Sequence, residues 1–314
     1  MKLLIADDDA TSLGLTQGLL RKWDYEIVLA KNGLEALAAL RTPGGPRLAL
    51  VDWMMPEMDG PTVCRELRLR PPNAYVYIIL LTAKGGKHNI VEGLESGADD
   101  YLTKPVYAGE LRARLRVGLR VLELEDRLVK AGEVLSYKAS HDNLTGVWNR
   151  GAILELAQRE IQRIEREHGS LGMLIVDLDH FKNINDTLGH LAGDDVLREV
   201  ASRMNRAVRS YDLVGRYGGE EFLILLPGCT AAATRERAES IRAEISRTPI
   251  ETCAGPVRVT LSGGTVATAE PALRGTDALL QAADEALYRA KERGRNRIEA
   301  ADSADQPALA ENSV

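Results

Sequence analysis

The stretch GRYGGEEFLILLPG, residues 215–228, places a Gly-Gly pair and two glutamates between short apolar, strand-like runs. Adjacent glycines between such runs predict a hairpin turn, because glycine adopts positive φ angles without steric cost. A hairpin turn needs no acids, yet Glu220 and Glu221 stand beside a run that must be buried. The stretch therefore predicts a pair of adjacent strands and, at their turn, a chemical site.

The size and composition of the chain indicate about two domains. Its 314 residues are 45% hydrophobic, which is enough for two separately buried cores. No apolar run approaches the length of a membrane span. The three cysteines lie far apart without a CxxC pair, which fits reduced thiols. We therefore expect a cytoplasmic protein with no membrane segment.

The charge of the chain bears on its partners. A net charge of −6 does not indicate the positively charged surface that binds nucleic acid, so we expect no nucleic-acid partner. Arginines are dense between positions 112 and 127, and we interpret them as the solvated face of a helix.

Residues 1–105 alternate apolar strand-like runs with amphipathic helical segments. The runs are KLLIAD, EIVLA, RLALVD, YVYIILLTA and DDYLTKP. This alternation predicts an α/β fold with a doubly wound parallel sheet, whose strands are apolar because helices cover both faces.

Polar residues follow the predicted strands at their carboxyl ends. They are Asp7, Asp8, Asp52, Thr82 and Lys104. In such sheets ligands bind outside the carboxyl ends of the strands, so these side chains should converge on one crevice. Three neighbouring carboxylates repel one another unless a hard cation lies among them, and oxygen ligands of this kind suit Mg²⁺. For each acid taken singly, the alternative is a cap for the following helix.

Residues 1–122 resemble the receiver domain of two-component response regulators. The resemblance is carried by ADDD (6–9), VDWMMPEMDG (51–60), LTA (81–83) and YLTKP (101–105). It implies a cognate histidine kinase as partner and Asp52 as the phosphoacceptor. It also implies that Asp8 binds Mg²⁺ directly and Asp7 through water, with the carbonyl of Met54 as a further ligand.

The same resemblance assigns the switch residues of the receiver. Thr82 and Lys104 would hold the phosphoryl group, and Tyr101 would be the aromatic switch. An ordinary half-buried aromatic is the alternative for Tyr101.

Residues 106–140 read as one long helix that continues the last receiver helix. Apolar residues recur at heptad spacing, and we call these positions the seam: Val117, Val121, Leu124, Leu128, Ala131 and Leu135. A seam with charged flanks is typical of a parallel coiled coil. A helix packed on its own domain is the alternative. We favour a homodimer, because the seam continues past the point where the receiver fold should end.

The second half combines strand and helix signals with further acids. Asp177 ends the buried run GMLIVDLD, and Glu220 follows the Gly-Gly turn, so adjacent strands could bring the two carboxylates together. Paired carboxylates again suit Mg²⁺, whose remaining ligands are commonly phosphate oxygens. Lys182, Lys291 and Arg295 could supply positive charge to a triphosphate. No GxxxxGK[ST] motif is present, so this is not a P-loop enzyme.

Residues 141–300 resemble the GGDEF family of diguanylate cyclases, whose α/β fold is related to the palm of adenylyl cyclases and polymerases. The strings that carry the resemblance are DNLTGVWNR, DLDHFKNINDTLGHLAGDDVL, RYGGEEF and ALYRAKERGRN. Glu220 replaces the commoner Asp of the signature and keeps the carboxylate. Residues 301–314, beyond the domain, are expected to form a disordered tail.

The GGDEF resemblance implies roles for individual residues. Asp177, the carbonyl of Leu178 and Glu220 would form the metal site, and Glu221 would lie near the reacting hydroxyl. Asn185 and Asp194 would read guanine. The remaining substrate-binding set is Phe181, Lys182, Lys291 and Arg295; Lys182 is also counted among the catalytic residues with Asp177, Glu220 and Glu221.

The activity implied is condensation of two GTP molecules into cyclic di-GMP across a homodimer. Two Mg²⁺ per site would assist, Mn²⁺ could substitute, and phosphorylation of the receiver would regulate the reaction. The alternative is a phosphorylation-gated receptor for cyclic di-GMP with a catalytically weak domain.

The RSYD stretch, residues 209–212, matches the RxxD inhibitory site of the same family in spacing and in its offset from GGEEF. There, Arg209 and Asp212 would bind cyclic di-GMP as an inhibitor. A plain ion pair between these two residues is the alternative.

Overall fold

A computed structural model describes residues 1–71, 74–83, 87–268 and 275–301, with the side chains of 87–90 left undescribed. The chain divides into two compact units, residues 1–133 and 134–314. The predicted tail lies outside the described residues from position 302 onward. Among the described helices, none is long and apolar enough to cross a membrane.

The first unit is built around a parallel five-stranded sheet. Its strands are β1 Lys2–Ala6, β2 Glu26–Ala30, β3 Leu48–Asp52, β4 Tyr77–Thr82 and β5 Asp100–Thr103, in the order β2-β1-β3-β4-β5. Its helices are α1 Ala10–Arg21, α2 Gly33–Arg41, α3 Gly60–Leu69, α4 Lys87–Glu95 and α5 Ala108–Ser140, of which α5 continues into the second unit. The doubly wound sheet expected from the alternating runs is confirmed. β3 and β4 are buried throughout, because apolar side chains cover both faces of the sheet.

Side-chain caps fix the beginnings of three of these helices. Asp9 caps α1, Asn32 caps α2 and Asp59 caps α3, each accepting backbone N–H groups of the first turn. Because Asp9 provides the cap of α1, Asp7 and Asp8 remain available for other contacts at the end of β1.

The helix α5 has two apolar stripes. Leu111, Leu115, Gly118 and Leu122 are buried against the sheet of the first unit. At Gly118 a Cβ atom would lie 2.7 Å from the ring of Tyr77, so only glycine allows this close packing. The buried stripe therefore holds the first part of α5 on its own domain.

The predicted seam forms the second stripe. Val121 is half-buried, and the other seam positions are exposed. The helix thus packs on its own domain through one stripe and leaves the seam open, and the coiled-coil dimer stays a prediction.

An ion-pair cluster extends the attachment of α5 by one turn. The guanidinium of Arg47 lies 2.8 Å from Glu125 and 2.6 Å from Asp126. Arg47 is positioned just before β3, so these pairs tie α5 to the sheet beyond Leu122.

The second unit has a mixed five-stranded sheet in the order β12-β11-β6-β8-β7. Its elements are α6 Arg150–Glu167, β6 Leu171–Leu178, α7 Phe181–Leu188, α8 His190–Ala207, β7 Leu213–Arg216, β8 Glu221–Pro227, α9 Ala231–Arg247, β9 Ile250–Thr252, β10 Gly255–Val257, β11 Leu261–Ala267, α10 Thr276–Glu292 and β12 Ile298–Ala300. The hairpin expected around Gly218 and Gly219 is present as β7 and β8. Residue 301, which was assigned to the tail, still donates its N–H to Thr265.

Two helices of the second unit follow one another directly. The helix α8 runs from His190 to Ala207, immediately after α7. Gly189, with φ +84, ends α7 and starts α8 in a single residue, so no loop separates the two helices.

The helix α10 lies directly against the backbone of β11. A Cβ atom at Gly264 would lie 2.0 Å from the carbonyl oxygen of Ala283 and 2.3 Å from the amide nitrogen of Leu287. Both are backbone atoms, which cannot move aside as a flexible side chain can. Any side chain at position 264 must therefore push the helix from the sheet.

We predict that Gly264→Ala destabilises the second unit by at least about 2 kcal/mol, through overpacking at the strand–helix contact. Thermal unfolding of the full-length chain, followed by circular dichroism, measures the shift. The matched control is Gly151→Ala in α6, where the nearest atom to a new Cβ is 3.5 Å away. That change should be neutral or stabilising by up to about 1 kcal/mol. Equal stability of the two variants would contradict the packing argument.

Candidate functional site

The first unit gathers its acids at the carboxyl ends of β1 and β3. Asp7, Asp8 and Asp52 each offer a carboxylate oxygen, and the three oxygens lie within 4.8 Å of one another. Asp7 and Asp52 are buried, whereas Asp8 is exposed. The cluster thus has two fixed acids and one that faces solvent.

Lys104, which follows β5, bridges the two buried acids. Its Nζ lies 2.8 Å from Asp7 and 2.9 Å from Asp52. The backbone N–H of Lys104 donates to the carbonyl of Thr82 at 2.8 Å, and the Thr82 side chain is buried at the end of β4. The five residues expected in one crevice therefore surround the same strand ends.

Burial and neighbouring charges shift the pKa values in this cluster. Burial raises the pKa of the Asp52 carboxyl, and the charge of Asp7 adds to this, whereas Lys104 opposes it. Burial alone would lower the pKa of Lys104, but its hydrogen bonds and charge contacts with Asp7 and Asp52 outweigh that effect and raise it. Lys104 is therefore held firmly in its charged form.

Two local contacts, neither of which the sequence indicated, orient the side chain of Asp7. The hydroxyl of Ser12 donates to Oδ2 of Asp7 at 2.6 Å, and the N–H of Asp9 donates to Oδ1 at 3.0 Å. A serine in the first turn of a helix carries no distinctive spacing, so only the structure identifies it. Together these contacts fix the carboxylate that faces Lys104.

Tyr101 and Met54 complete the predicted receiver residues. Tyr101 is half-buried, with the guanidinium of Arg114 5.9 Å from its ring centre, and Arg114 pairs with Asp100 at 2.9 Å. The side chain of Met54 is exposed, in the segment that follows β3. Tyr101 therefore lies within β5, and Met54 lies two residues after the end of β3.

The second unit places Asp177 opposite Glu221 in the antiparallel pair β6–β8. The expectation that adjacent strands bring Asp177 and Glu220 together is corrected by one residue, because β8 starts at Glu221. Glu220 lies one residue earlier, and its carbonyl accepts the N–H of Leu178 at 3.3 Å. Residues paired in register point to the same face of a sheet, so Asp177 and Glu221 share one face.

Lys291 of α10 meets these acids. Its Nζ lies 2.9 Å from Oδ2 of Asp177. Burial raises the pKa of Glu221, and the negative charge of Asp177 adds to this, while Lys291 opposes it. The site therefore contains two carboxylates whose repulsion a lysine only partly relieves.

The Gly-Gly turn fits closely around these acids. A Cβ atom at Gly218 would lie 2.4 Å from Oε2 of Glu221, whereas Gly219 has open space around it. Arg216 holds the turn, donating to the carbonyl of Gly219 at 3.0 and 2.8 Å. The same guanidinium lies 3.1 Å from Asp142, so the DNLTG segment supports the turn. Both segments carry the family resemblance, but nothing in the sequence indicates this contact between them.

The helices α7 and α8 carry the residues expected to read guanine. Asn185 and Asp194 are half-buried. A Cβ atom at Gly193 would lie 1.9 Å from Oδ1 of Asn185, so glycine lets the two helices approach at that point. Phe181 is buried, and Lys182 is exposed beside it. The structure therefore brings Asn185 next to the residue that precedes Asp194.

The remaining predicted cation, Arg295, lies after α10. It is exposed and has a positive φ of 61. Lys291 and Arg295 thus flank the end of one helix, and Lys291 already contacts Asp177.

The RSYD stretch does not form the plain ion pair. The backbone N–H of Arg209 donates to Oδ2 of Asp212 at 2.8 Å, whereas the Arg209 guanidinium meets the Tyr211 hydroxyl at 2.6 Å. Asp212 is 7% exposed and lies 3.5 Å from Arg237. Arg209 is exposed, so the stretch offers a guanidinium on the surface above a buried acid.

Both acid sites fit a hard divalent cation by their donor chemistry. At the first site three carboxylates converge. At the second, Asp177 and Glu221 share a sheet face, and Glu220 is joined through its backbone carbonyl to Leu178. Such oxygen donors suit Mg²⁺. Within the described part of the chain, the acids of the second site do not form an equally tight set of three.

Comparison with known families identifies both units. Residues 139–297 match the family described as diguanylate cyclase, GGDEF domain, and residues 3–116 match the response regulator receiver domain. Diguanylate cyclase DgcP of Pseudomonas aeruginosa is 43% identical over 164 residues, which are 52% of this chain and 24% of DgcP. The chain thus spans about a quarter of that relative.

A second relative and one solved structure extend the comparison. Response regulator PleD of Caulobacter vibrioides is 28% identical, with 95% of this chain and 98% of PleD covered. The crystal structure of the coiled coil and GGDEF domain of DgcB from Caulobacter crescentus, in complex with c-di-GMP, is 33% identical with a TM-score of 0.55, and the match covers 61% of this chain and 99% of that one. The chain belongs to the GGDEF family of diguanylate cyclases and carries a response regulator receiver domain.

Proposed function

We propose that this protein is a phosphorylation-regulated diguanylate cyclase, which condenses two GTP into cyclic di-GMP and two pyrophosphates across a homodimer. The observation that carries the proposal is the pairing of Asp177 with Glu221 beside the Gly-Gly turn, with Lys291 at 2.9 Å from Asp177. Two acids and a cation beside glycines, which allow a ligand to approach the backbone, support a site for a triphosphate.

The reaction forms two phosphodiester bonds. The 3′-hydroxyl oxygen of each GTP attacks the α-phosphorus of the other, the bond to the β-phosphate oxygen breaks, and pyrophosphate leaves. Glu221 is suited to receive the hydroxyl proton, because a carboxylate with a raised pKa is a better base. Each subunit would hold one GTP, so one subunit provides half of the reaction.

Asp177, Glu220 and the carbonyl of Leu178 would hold Mg²⁺, two ions per site, with Mn²⁺ as a substitute. When bound, the metal would activate the hydroxyl and offset charge on the phosphates and on the departing pyrophosphate. Lys182, Lys291 and Arg295 would bind phosphate oxygens, and Lys291 would then exchange its contact with Asp177 for one with the substrate.

Guanine selection would rest on Asn185 and Asp194, with Phe181 beside them. A carboxylate accepts hydrogen bonds from N1–H and the 2-amino group of guanine, whereas adenine has an acceptor at N1. GTP is therefore the expected substrate rather than ATP.

We predict that Glu220→Ala lowers cyclic di-GMP formation by at least about a hundredfold, since it removes a metal ligand. Glu221→Gln should have an effect of similar size, because an amide cannot accept the proton. Product formed from GTP and Mg²⁺ is measured by chromatography. Glu155→Gln, at an exposed position of α6, is the control and should retain parental turnover. Near-parental rates in folded Glu220→Ala protein would refute the assignment.

The receiver would control this reaction through Asp52. A histidine kinase would supply the phosphoryl group, which adds about 1.5–2 negative charges. Lys104 already lies 2.9 Å from Asp52, and Thr82 is buried at the adjacent strand end, which supports a role for both in binding phosphoryl oxygens. Tyr101 would respond as the aromatic switch.

The dimer would form along the exposed seam of α5. Leu124, Leu128 and Leu135 are exposed there, and burying them against a second copy removes apolar surface from water. Phosphorylation would bias the pairing of receivers, and α5 would transmit that bias to the alignment of the cyclase domains.

We predict that Asp52→Asn retains unstimulated cyclase activity but loses all stimulation by beryllofluoride or a small phosphodonor. The amide cannot form an acyl phosphate. Initial rates and oligomer mass are recorded with and without the donor. Asp99→Asn is unsuitable as a control, because that carboxylate accepts several structural hydrogen bonds. Asp24→Asn, at an exposed turn, is the control instead. Equal stimulation of Asp52→Asn and parent would exclude this switch.

The same assay decides the second candidate function, a phosphorylation-gated receptor with a catalytically weak domain. Absence of cyclic di-GMP with and without the donor, in protein that still binds the dinucleotide, would favour that function. The acids Asp177, Glu220 and Glu221 are all present, which favours the enzyme.

Product feedback would act at Arg209 and Asp212. Guanidinium groups commonly contact the Hoogsteen edge of guanine or a phosphate, and the Arg209 side chain is exposed. Asp212 is buried, with one oxygen that has no hydrogen-bond partner within the described residues. This oxygen would accept from guanine only after the side chain has moved to the surface. Cyclic di-GMP bound there would hold the cyclase domains in a non-productive arrangement.

We predict that Arg209→Ala loses tight cyclic di-GMP binding and that its progress curves no longer slow as product accumulates. Calorimetry and full time courses provide the two measurements. Arg159→Ala, at an exposed position of α6, is the matched control and should keep both properties. Undiminished product inhibition in Arg209→Ala would exclude feedback through this stretch.

A further inference from the structure

One buried acid near the second site has no part in the chemistry proposed so far. Asp179 follows β6 directly and is only 5% exposed. Its Oδ2 accepts the Thr260 hydroxyl at 2.7 Å, and its Oδ1 accepts the Ser262 hydroxyl at 2.7 Å. A carboxylate buried to this degree needs such donors, because an unpaired buried charge is costly.

The third contact of the Asp179 side chain reaches a distant segment. Its Oδ2 also accepts the backbone N–H of Asn296 at 3.0 Å, across 117 positions of sequence. Asn296 belongs to residues 294–297, which we call the arginine turn because it contains Arg295. On its other side the arginine turn is held by Arg242, whose guanidinium donates to the Asn296 side chain at 2.7 Å.

The backbone of the arginine turn is strained. Gly294, Arg295 and Asn296 have φ values of 109, 61 and 45 in succession. Left-handed backbone is cheap for glycine and costs about 1 kcal/mol or more for other residues. A turn of this shape is cheapest with glycine throughout, and with arginine and asparagine in it the conformation persists only where surrounding contacts hold it.

Asp179 also connects to the acid site itself. It lies two residues after Asp177, and Ser262, which donates to it, pairs in register with Asp177 on the neighbouring strand. One carboxylate thus fixes both the end of β6 and the arginine turn.

We propose that Asp179 is a positioning residue, which holds the arginine turn against the end of β6 so that Arg295 reaches the phosphates of GTP. This inference rests on the proposed function. Asp179 itself does not touch the substrate, and its effect passes through Arg295.

The test is a double-mutant cycle on the full-length protein with Asp179→Asn and Arg295→Ala. The dissociation constant of Mg²⁺ with a non-hydrolysable GTP analogue and the kcat and KM for GTP are measured, together with thermal unfolding. Each single variant should weaken analogue binding and raise KM by about tenfold, with a smaller effect on kcat. The double variant should be no weaker than Arg295→Ala alone, because Asp179 acts through that side chain.

A purely structural role gives a different result. Asp179→Asn would then lower the melting temperature and weaken binding by the same factor in both backgrounds, and this additive outcome would overturn the proposal. Glu155→Gln should leave all measurements unchanged. If Asp179→Asn does not fold, Thr260→Val, which removes one donor from the same carboxylate, replaces it in the cycle with the same expected pattern at smaller amplitude.

The cycle separates this inference from the function on which it rests. If the parent protein produces cyclic di-GMP but the effects of the two substitutions on binding are additive, only the role of Asp179 is overturned. If the effects are coupled and the protein binds the GTP analogue without producing cyclic di-GMP, the role of Asp179 is supported and the cyclase activity is overturned. A parent protein that neither binds the analogue nor turns over GTP would overturn both.

Discussion

Repulsion between carboxylates gathered at strand ends is the constraint on which both halves of this protein depend. In each half, backbone pairing in a sheet brings acids together, and a lysine from a separate element relieves the repulsion. Lys104 lies between Asp7 and Asp52 at 2.8 and 2.9 Å, and Lys291 lies 2.9 Å from Asp177. In the proposed function each lysine would also bind a phosphoryl group or a triphosphate, which offers it stronger negative charge. The same arrangement thus suits a phosphorylation site in one unit and a nucleotide site in the other.

Much of this organisation could be predicted from the sequence, because it depends on short patterns. Five apolar runs that alternate with helical periodicity specify a parallel sheet, and polar residues after these runs specify which edge is chemical. The Gly-Gly pair likewise identified the turn between β7 and β8. The register at that turn was not predicted: the residue that pairs with Asp177 lies one position later than expected. Since side chains alternate along a strand, that residue decides whether Glu220 or Glu221 shares the face of Asp177.

Two of the contacts that the sequence missed join segments far apart in the chain. Arg216 joins Asp142 to the Gly-Gly turn, and Asp179 holds the arginine turn. Only three-dimensional folding brings these partners together, so their spacing carries no signal. The contact of Ser12 with Asp7 is local, but a serine in the first turn of a helix is too common to indicate it. Asp179 illustrates this well, since it stands inside a recognised string, two positions from Asp177, and its main contact lies 117 positions away.

The two stripes of α5 restrict the insertions that this helix can accept. Leu122 closes the buried stripe and Leu124 continues the exposed one, only two positions later. Each residue added to an α-helix rotates everything beyond it by about 100° around the helix axis. A single insertion after Leu122 would therefore turn Leu124 and Leu128 away from the direction that Val117 faces. An insertion of seven residues nearly restores that direction. The helix between the two domains can thus evolve by whole heptads, whereas drift by single residues would break the seam.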